Sequence, residues 1–297
     1  LDEIRARLDV GALIGEIETG FVLYAEGRVV VPPVGFMHFE TPPGDVHIKY
    51  GAIEDDDVWV LKTASAFYHN PELGRPVADG AIFVFSQKTG ALELVLEDHG
   101  WLTDMRTAAA GAVAARHLAR RPVEQIGIVG TGVQARLQLE LLAGVVSCGR
   151  CLVWGRDEAK VDAMIEDVRA REPVQAWGIE IASATGLDEL VPACDLIVTA
   201  TSAREPLVRA DLVRPGTHIT AMGSDDHGKQ ELEAALLARA DVVVADSRAQ
   251  CVDHGECFHA VHAGVLPESA IVELGDVIRR PGLGRTDPDQ ITVADLT

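Results

Sequence analysis

From Gln125 onward, short apolar strands alternate with amphipathic helices, and that alternation leaves few folds open to the chain. Strands are expected at 126–129, 151–154, 196–200, 218–222 and 242–245, with a helix after most of them. Apolar strands separated by helices build a parallel sheet covered on both faces. The first strand runs straight into Gly130-Thr131-Gly132-Val133-Gln134-Ala135, and helical sequence follows. A glycine pair alone is common in turns, but a glycine turn between a strand and a helix is the context a dinucleotide-binding turn requires. There Gly130 permits the tight turn, Gly132 lets the backbone approach a pyrophosphate, and the small Ala135 allows close contact between helix and strand. The helix N-terminus offers unpaired N–H groups and the positive end of its dipole to the phosphates.

Upstream the texture differs. Ile4, Leu8, Leu13, Ile14 and Ile17 recur at helical intervals, so an amphipathic helix is expected over 3–18. Strand-like runs follow at 29–31, 46–49, 58–64, 81–85 and 92–96. Turns are expected between them at Pro42-Pro43-Gly44, Asn70-Pro71, Asp79-Gly80 and Thr89-Gly90. Consecutive strands with short links predict a mostly antiparallel sheet. The alanine-rich stretch 103–119 then reads as a helix bridging two domains.

Composition narrows the function. A formal charge of −20, with no compensating basic patch, argues against nucleic acid and anionic membranes as partners. No apolar run approaches the roughly 18 residues of a membrane span, and the charged, amphipathic start of the chain reads as neither signal nor anchor. A cytoplasmic location is therefore expected. Five cysteines, an odd number, fit a reducing compartment better than a disulfide framework. Cys148-Gly149-Arg150-Cys151 precedes a strand, whereas redox motifs lead into a helix. Cys251, His254, Cys257, His259 and His262 follow no standard ligand spacing, so no metal site is expected.

Several ordered motifs together resemble the ornithine cyclodeaminase/mu-crystallin family, which includes archaeal-type alanine dehydrogenases and ketimine reductases. They are Leu61-Lys62, Asn70-Pro71-Glu72-Leu73-Gly74, Leu102-Thr103-Asp104-Met105-Arg106-Thr107-Ala108-Ala109, the glycine turn with Gln134, and His218-Ile219-Thr220-Ala221-Met222-Gly223-Ser224-Asp225 with Gly228-Lys229. Gln250 and Gly255-Glu256 complete the likeness, which runs nearly end to end. The resemblance implies an α/β protein: a Rossmann-type parallel-sheet nucleotide domain plus a discontinuous α+β domain for substrate binding and dimerisation. The expected boundaries are 1–115, rejoined by about 288–297, for the second, and 116–287 for the nucleotide domain. It further implies a homodimer, a small amino or imino acid as substrate, and an NAD(P)(H) cofactor.

Residue by residue, the resemblance assigns Lys62 to the substrate carboxylate or imine, Arg106 to bidentate capture of the carboxylate, and Asp225 to acid–base catalysis, with the adjacent Asp226 as its rival. An ammonium inside the apolar run 58–61 is costly without a partner, which makes Lys62 open to a tuned pKa. Cofactor contacts are implied at Gly130, Thr131, Gly132, Val133, Gln134, Thr107, Thr201 and Lys229. The second strand of the nucleotide domain ends at Gly155-Arg156 instead of an acidic tip, so Arg156 is expected to meet a 2′-phosphate and favour NADPH over NADH, with Asp157 as the alternative partner for the ribose hydroxyls. Where relatives that hold ornithine carry an arginine, this chain has Pro32-Pro33-Val34-Gly35. His47 and Lys49, on one face of the next strand, offer either another carboxylate contact or a polar outer face. The implied chemistry is hydride transfer at an α-carbon, as an imine reductase or amino-acid dehydrogenase. A cyclodeaminase-type lyase that returns the hydride, or a non-catalytic binder of NADPH and a small ligand, are the alternatives.

Overall fold

A computed structural model describes residues 1–297. The chain divides into two compact units, one of residues 1–10 and 23–106, the other of residues 11–22 and 107–297. No helix is long and apolar enough to cross a membrane.

The first unit is a six-stranded sheet of β1 (Val29–Val30), β2 (Gly35–Glu40), β3 (Pro43–Ile53), β4 (Val58–Phe67), β5 (Ala78–Ser86) and β6 (Leu92–Leu96). Its order is β1-β3-β4-β5-β6 with β2 also on β3, and every pairing is antiparallel. The turn expected at 42–44 is present one residue earlier, at Thr41-Pro42, which joins β2 to β3, while Pro43-Gly44 opens β3. The turn expected at Asp79-Gly80 is corrected: both residues lie within β5, where Gly80 faces Ala64 in the ladder. A Cβ at position 80 would sit 2.5 Å from the Thr63 carbonyl oxygen, so the glycine serves close backbone packing rather than a reversal. The single helix expected over 3–18 is two, α1 (Asp2–Arg7) and α2 (Val10–Ala25). Leu8, which caps α1 in an extended conformation, separates them.

The second unit holds eight parallel strands: β7 (Ile126–Val129), β8 (Arg150–Trp154), β9 (Glu180–Ser183), β10 (Leu196–Thr199), β11 (His218–Ala221), β12 (Val242–Ala245), β13 (Ile271–Glu273) and β14 (Thr292–Asp295). They run in the order β13-β12-β14-β11-β10-β7-β8-β9, so the sheet reverses direction of winding at β7. Ligands bind outside the carboxyl ends of strands at such a switch point. Every residue of β7, β10, β11, β12 and β14 is buried, as a sheet covered on both faces requires. His218 is tolerated in this core because its Nδ1 and Nε2 meet Thr292 Oγ1 (2.8 Å) and Thr220 Oγ1 (3.0 Å). Burial lowers its pKa to about 3, keeping it neutral.

The strand β14 corrects the expected return of 288–297 to the first domain. It is hydrogen-bonded on both sides inside the nucleotide sheet, to β11 and β12. Thr292, Val293, Ala294 and Asp295 are all at most 1% exposed, so moving them out would open the core. The helix α3 (Trp101–Leu118) begins in the first unit and continues into the second, the boundary falling between Arg106 and Thr107. Glu18 of α2 accepts bonds from Arg116 and His117 of α3, both at 2.5 Å, within the second unit.

Candidate functional site

At the switch point, β7 ends in the glycine turn and α4 (Val133–Leu142) begins. Gly130 has φ +125°, and a Cβ there would lie 2.4 Å from the Ala200 carbonyl oxygen. Both its conformation and its contact with the neighbouring strand end therefore demand glycine. Gly132 caps α4 without any side-chain bond, and a Cβ on it would meet nothing within 4 Å. The start of α4 therefore has room beside Gly132 and no side-chain cap, which leaves its first N–H groups to an anion. The cavity beside them has a volume of about 720 Å³, and its walls include Gly130, Thr131, Gly132, Arg156, Thr201 and Arg204. Its size and its donors suit a dinucleotide.

The tip of β8 shapes one end of this cavity. A Cβ at Gly155 would approach Thr131 Cγ2 to 2.7 Å, so an acidic side chain there has no room without displacing Thr131. Asp157 is occupied at the start of α5 (Glu158–Arg169), where its Oδ1 accepts the Lys160 N–H at 3.3 Å. The exposed Arg156 and Arg204 are the cations on this wall. Thr107 and Lys229 lie outside the lining: the Thr107 carbonyl accepts Gln138 Nε2 at 3.3 Å, and Lys229 Nζ bonds Asp225 Oδ1 at 2.5 Å. Val133 and Gln134 form the first turn of α4.

Sequence reading missed what holds this rim together. Glu231 is fully buried and accepts four bonds: from Thr199 Oγ1 (2.7 Å), Thr201 N (2.6 Å), Thr201 Oγ1 (2.7 Å) and Gly223 N (2.8 Å). One carboxylate thereby ties the loop after β10, which lines the cavity, to the loop after β11, which carries Asp225. Glu256 in turn accepts the Glu231 and Leu232 N–H groups at 2.7 and 3.0 Å, and Asp295 accepts the Cys257 N–H at 2.8 Å. Burial pushes all three carboxyls up, Asp295 to about 7, while the bonds to Glu231 oppose its shift. The signal available in sequence was Glu231 beside Leu232 after a glycine loop, which reads equally well as a surface charge.

In the first unit, Lys62 and Lys49 stand directly opposite each other on β4 and β3. His47 and Lys49 share that face, and the His47 ring lies 5.0 Å from that of Phe36. Lys62 Nζ donates to Thr103 Oγ1 at 3.1 Å, in the first turn of α3. Burial lowers the Lys62 pKa from 10.5 to about 7, helped by Arg106 and then Lys49, against Asp98 and Asp104. Asp98 is engaged by the Leu102 N–H at 2.8 Å. Like charges placed opposite in a sheet destabilise it unless an anion joins them. All five cysteines are free and buried, and burial pushes Cys148, Cys151, Cys194, Cys251 and Cys257 up, so none is a reactive thiolate.

Residues 1–297, which carry this dinucleotide-type turn and half-buried lysine, match the model of the ornithine cyclodeaminase/mu-crystallin family. The chain belongs to that family. Among its relatives is an uncharacterized cyclodeaminase of Sinorhizobium fredii, 37% identical over 98% of this chain and 86% of that protein. The iminosuccinate reductase of Paracoccus denitrificans, solved with NAD+, superposes with a TM-score of 0.91 at 31% identity over 100% of this chain and 89% of that one. The Δ1-pyrroline-2-carboxylate reductase of Thermococcus litoralis, solved with NADH and L-proline, gives 0.89 at 27% identity over 98% and 88%. An archaeal alanine dehydrogenase dimer with bound NAD gives 0.88 at 31% identity over 100% and 88%. The chain thus has the fold of these family members, with a Rossmann-type parallel sheet in the second unit.

Proposed function

We propose that this chain is a nicotinamide-dependent oxidoreductase that transfers hydride at the α-carbon of an imino or amino acid, working as an imino-acid reductase. The observation that carries this reading is the Lys62 ammonium, its pKa lowered to about 7 by burial with Arg106 and Lys49 nearby, a group of cations suited to a carboxylate. A bound nicotinamide supplies the hydride, so that with one proton a C=N bond becomes CH–NH. Lys62 and Arg106 hold the α-carboxylate, the arginine through its planar fork. Asp225 passes the proton to the substrate nitrogen, oriented by Lys229 at 2.5 Å. Lys49 and His47, on the Lys62 face, set the far side of the substrate pocket. The relatives solved with an imino-acid or amino-acid reaction in their names support this class of substrate. Mixing the protein with reduced nicotinamide and cyclic or linear imino acids tests it, and a lasting loss of nicotinamide absorbance is expected. Ammonia released from ornithine or lysine with no net absorbance change would instead make the chain a lyase, the reading that its cyclodeaminase relative favours.

NADPH is the favoured cofactor in this reading, because Gly155 leaves no room for an acid and Asp157 is engaged at a helix cap. Arg156→Ala is expected to lower kcat/KM with NADPH by about tenfold or more while changing that with NADH little. Kinetics with the two cofactors check this, and a wild-type preference for NADH would contradict it.

The active molecule is a homodimer joined through the first unit. No apolar side chain between Ile14 and Met105 is fully buried, while Val30, Phe36, Met37 and Leu94 are each at least 46% exposed. A sheet this open needs a second surface. Sedimentation is expected to give about twice the 31.7 kDa of one chain, and a monomer at micromolar concentration would contradict the assembly.

A further inference from the structure

Outside the features already described, two histidines and an aspartate converge on the surface of the second unit. His227 lies on the loop that carries Asp225, and Asp253 and His254 lie in the turn before the helix Glu256–His262. His254 Nδ1 is 3.3 Å and His227 Nε2 is 3.8 Å from the same carboxylate oxygen, Asp253 Oδ2. The two rings meet edge to face at 5.4 Å, and one donor atom from each residue falls within 4.8 Å of the others. Donors bound to a tetrahedral ion at about 2.0–2.1 Å lie about 3.4 Å apart, so small side-chain rotations close this set around one ion.

We propose that His227, Asp253 and His254 form a site for one divalent first-row transition ion, with Zn²⁺ as its probe. Two imidazoles and one carboxylate suit such ions, whereas Mg²⁺ and Ca²⁺ call for oxygen donors throughout. The site has an outer support as well. Gln250 places its amide 3.5 Å from His254 Nε2, and an amide turned about its axis presents its oxygen to the ring N–H. The backbone under the donors is held. Asp253 and His254 both donate their N–H to the Gln250 carbonyl at 3.0 Å. Ser224 Oγ donates to the Lys229 carbonyl at 2.7 Å, and His259 Nε2 lies 2.8 Å from the same oxygen. With three protein donors, a fourth position remains for water. The formal charge of −20 raises the local cation concentration. The cluster lay hidden in the sequence because His227 precedes the cysteine- and histidine-rich segment by a whole strand and helix. The ion would clamp the Asp225 loop to the 252–255 turn, a role that stands apart from the choice of substrate.

Titration calorimetry with ZnCl2, on tag-free full-length protein stripped with chelator, tests this. One equivalent bound with micromolar affinity is expected. His227→Ala and His254→Ala should each weaken binding by at least about tenfold, while His262→Ala leaves it unchanged. Thermal midpoints close to wild type in the three variants show that they fold. Absence of binding at hundreds of micromolar Zn²⁺, or binding that both His227→Ala and His254→Ala leave intact, overturns the proposal.

Discussion

Replacing Lys62 by methionine is expected to lower kcat/KM for an imino-acid substrate by about a hundred- to a thousandfold while making the protein more heat-stable near pH 6. The loss follows from removing a charged donor to the substrate carboxylate in a partly desolvated pocket. The gain follows from linkage. Lys62 has a folded pKa of about 7 against 10.5 when unperturbed, so the unfolded chain binds its proton more tightly. That penalty on the folded state is full below pH 7, shrinks as pH rises from 7 toward 10.5, and vanishes above. Methionine carries no such penalty and keeps an apolar stem over the sheet. The same shift sets the wild-type pH profile. If the ammonium captures the carboxylate, kcat/KM falls as pH rises through about 7, the free-enzyme value. Melting curves at pH 6 and 10, with kcat/KM between pH 6 and 9, check both halves. A flat profile with full activity in Lys62→Met would remove Lys62 from the reaction.

Glu231→Ala is expected to destabilise the second unit by about 3–5 kcal/mol, the usual cost of breaking a buried, multiply bonded charge. It strands Thr199 Oγ1, Thr201 N and Gly223 N without their acceptor. Because Thr201 lines the nucleotide cavity, affinity for reduced nicotinamide should fall with stability. Glu231→Gln preserves volume but turns an amide donor toward other donors, so a smaller loss in the same direction is expected. Urea unfolding and fluorescence titration with NADPH measure the two effects. A Glu231→Ala protein within about 1 kcal/mol of wild type, binding NADPH normally, would show that the rim is held by other contacts.

How much of this was legible depends on how local each cause is. The strands β7, β8, β10, β11 and β12 were readable because apolar runs bounded by helices leave little else to form. The edge strands β9 and β13 carry Glu180, Ser183 and Glu273, whose polarity hides them among loops. Gly35–Glu40 went unread because Pro32-Pro33 lies just before it and it opens on a glycine, and its pairing is fixed only by β3. The position of β14 is a tertiary fact: nothing in Thr292–Asp295 states which strands will flank it. The glycine turn was legible because close backbone approach demands a residue type, as Gly130 shows against Ala200. The Glu231–Glu256–Asp295 chain was not, since a buried carboxylate and a surface one are the same letter until their donors are known. His227 and His254 meet only through the folding of two separate loops.

The central claim, hydride transfer to an α-carbon, is tested most directly by isotope. The protein is incubated with a cyclic imino acid and NADPH deuterated at the transferable position, and the product is read by mass spectrometry and proton NMR. The account predicts a single deuterium on the α-carbon of the amino-acid product, with one nicotinamide oxidised for each molecule formed. A product that carries no deuterium, or that forms without net oxidation of the nicotinamide, would contradict it.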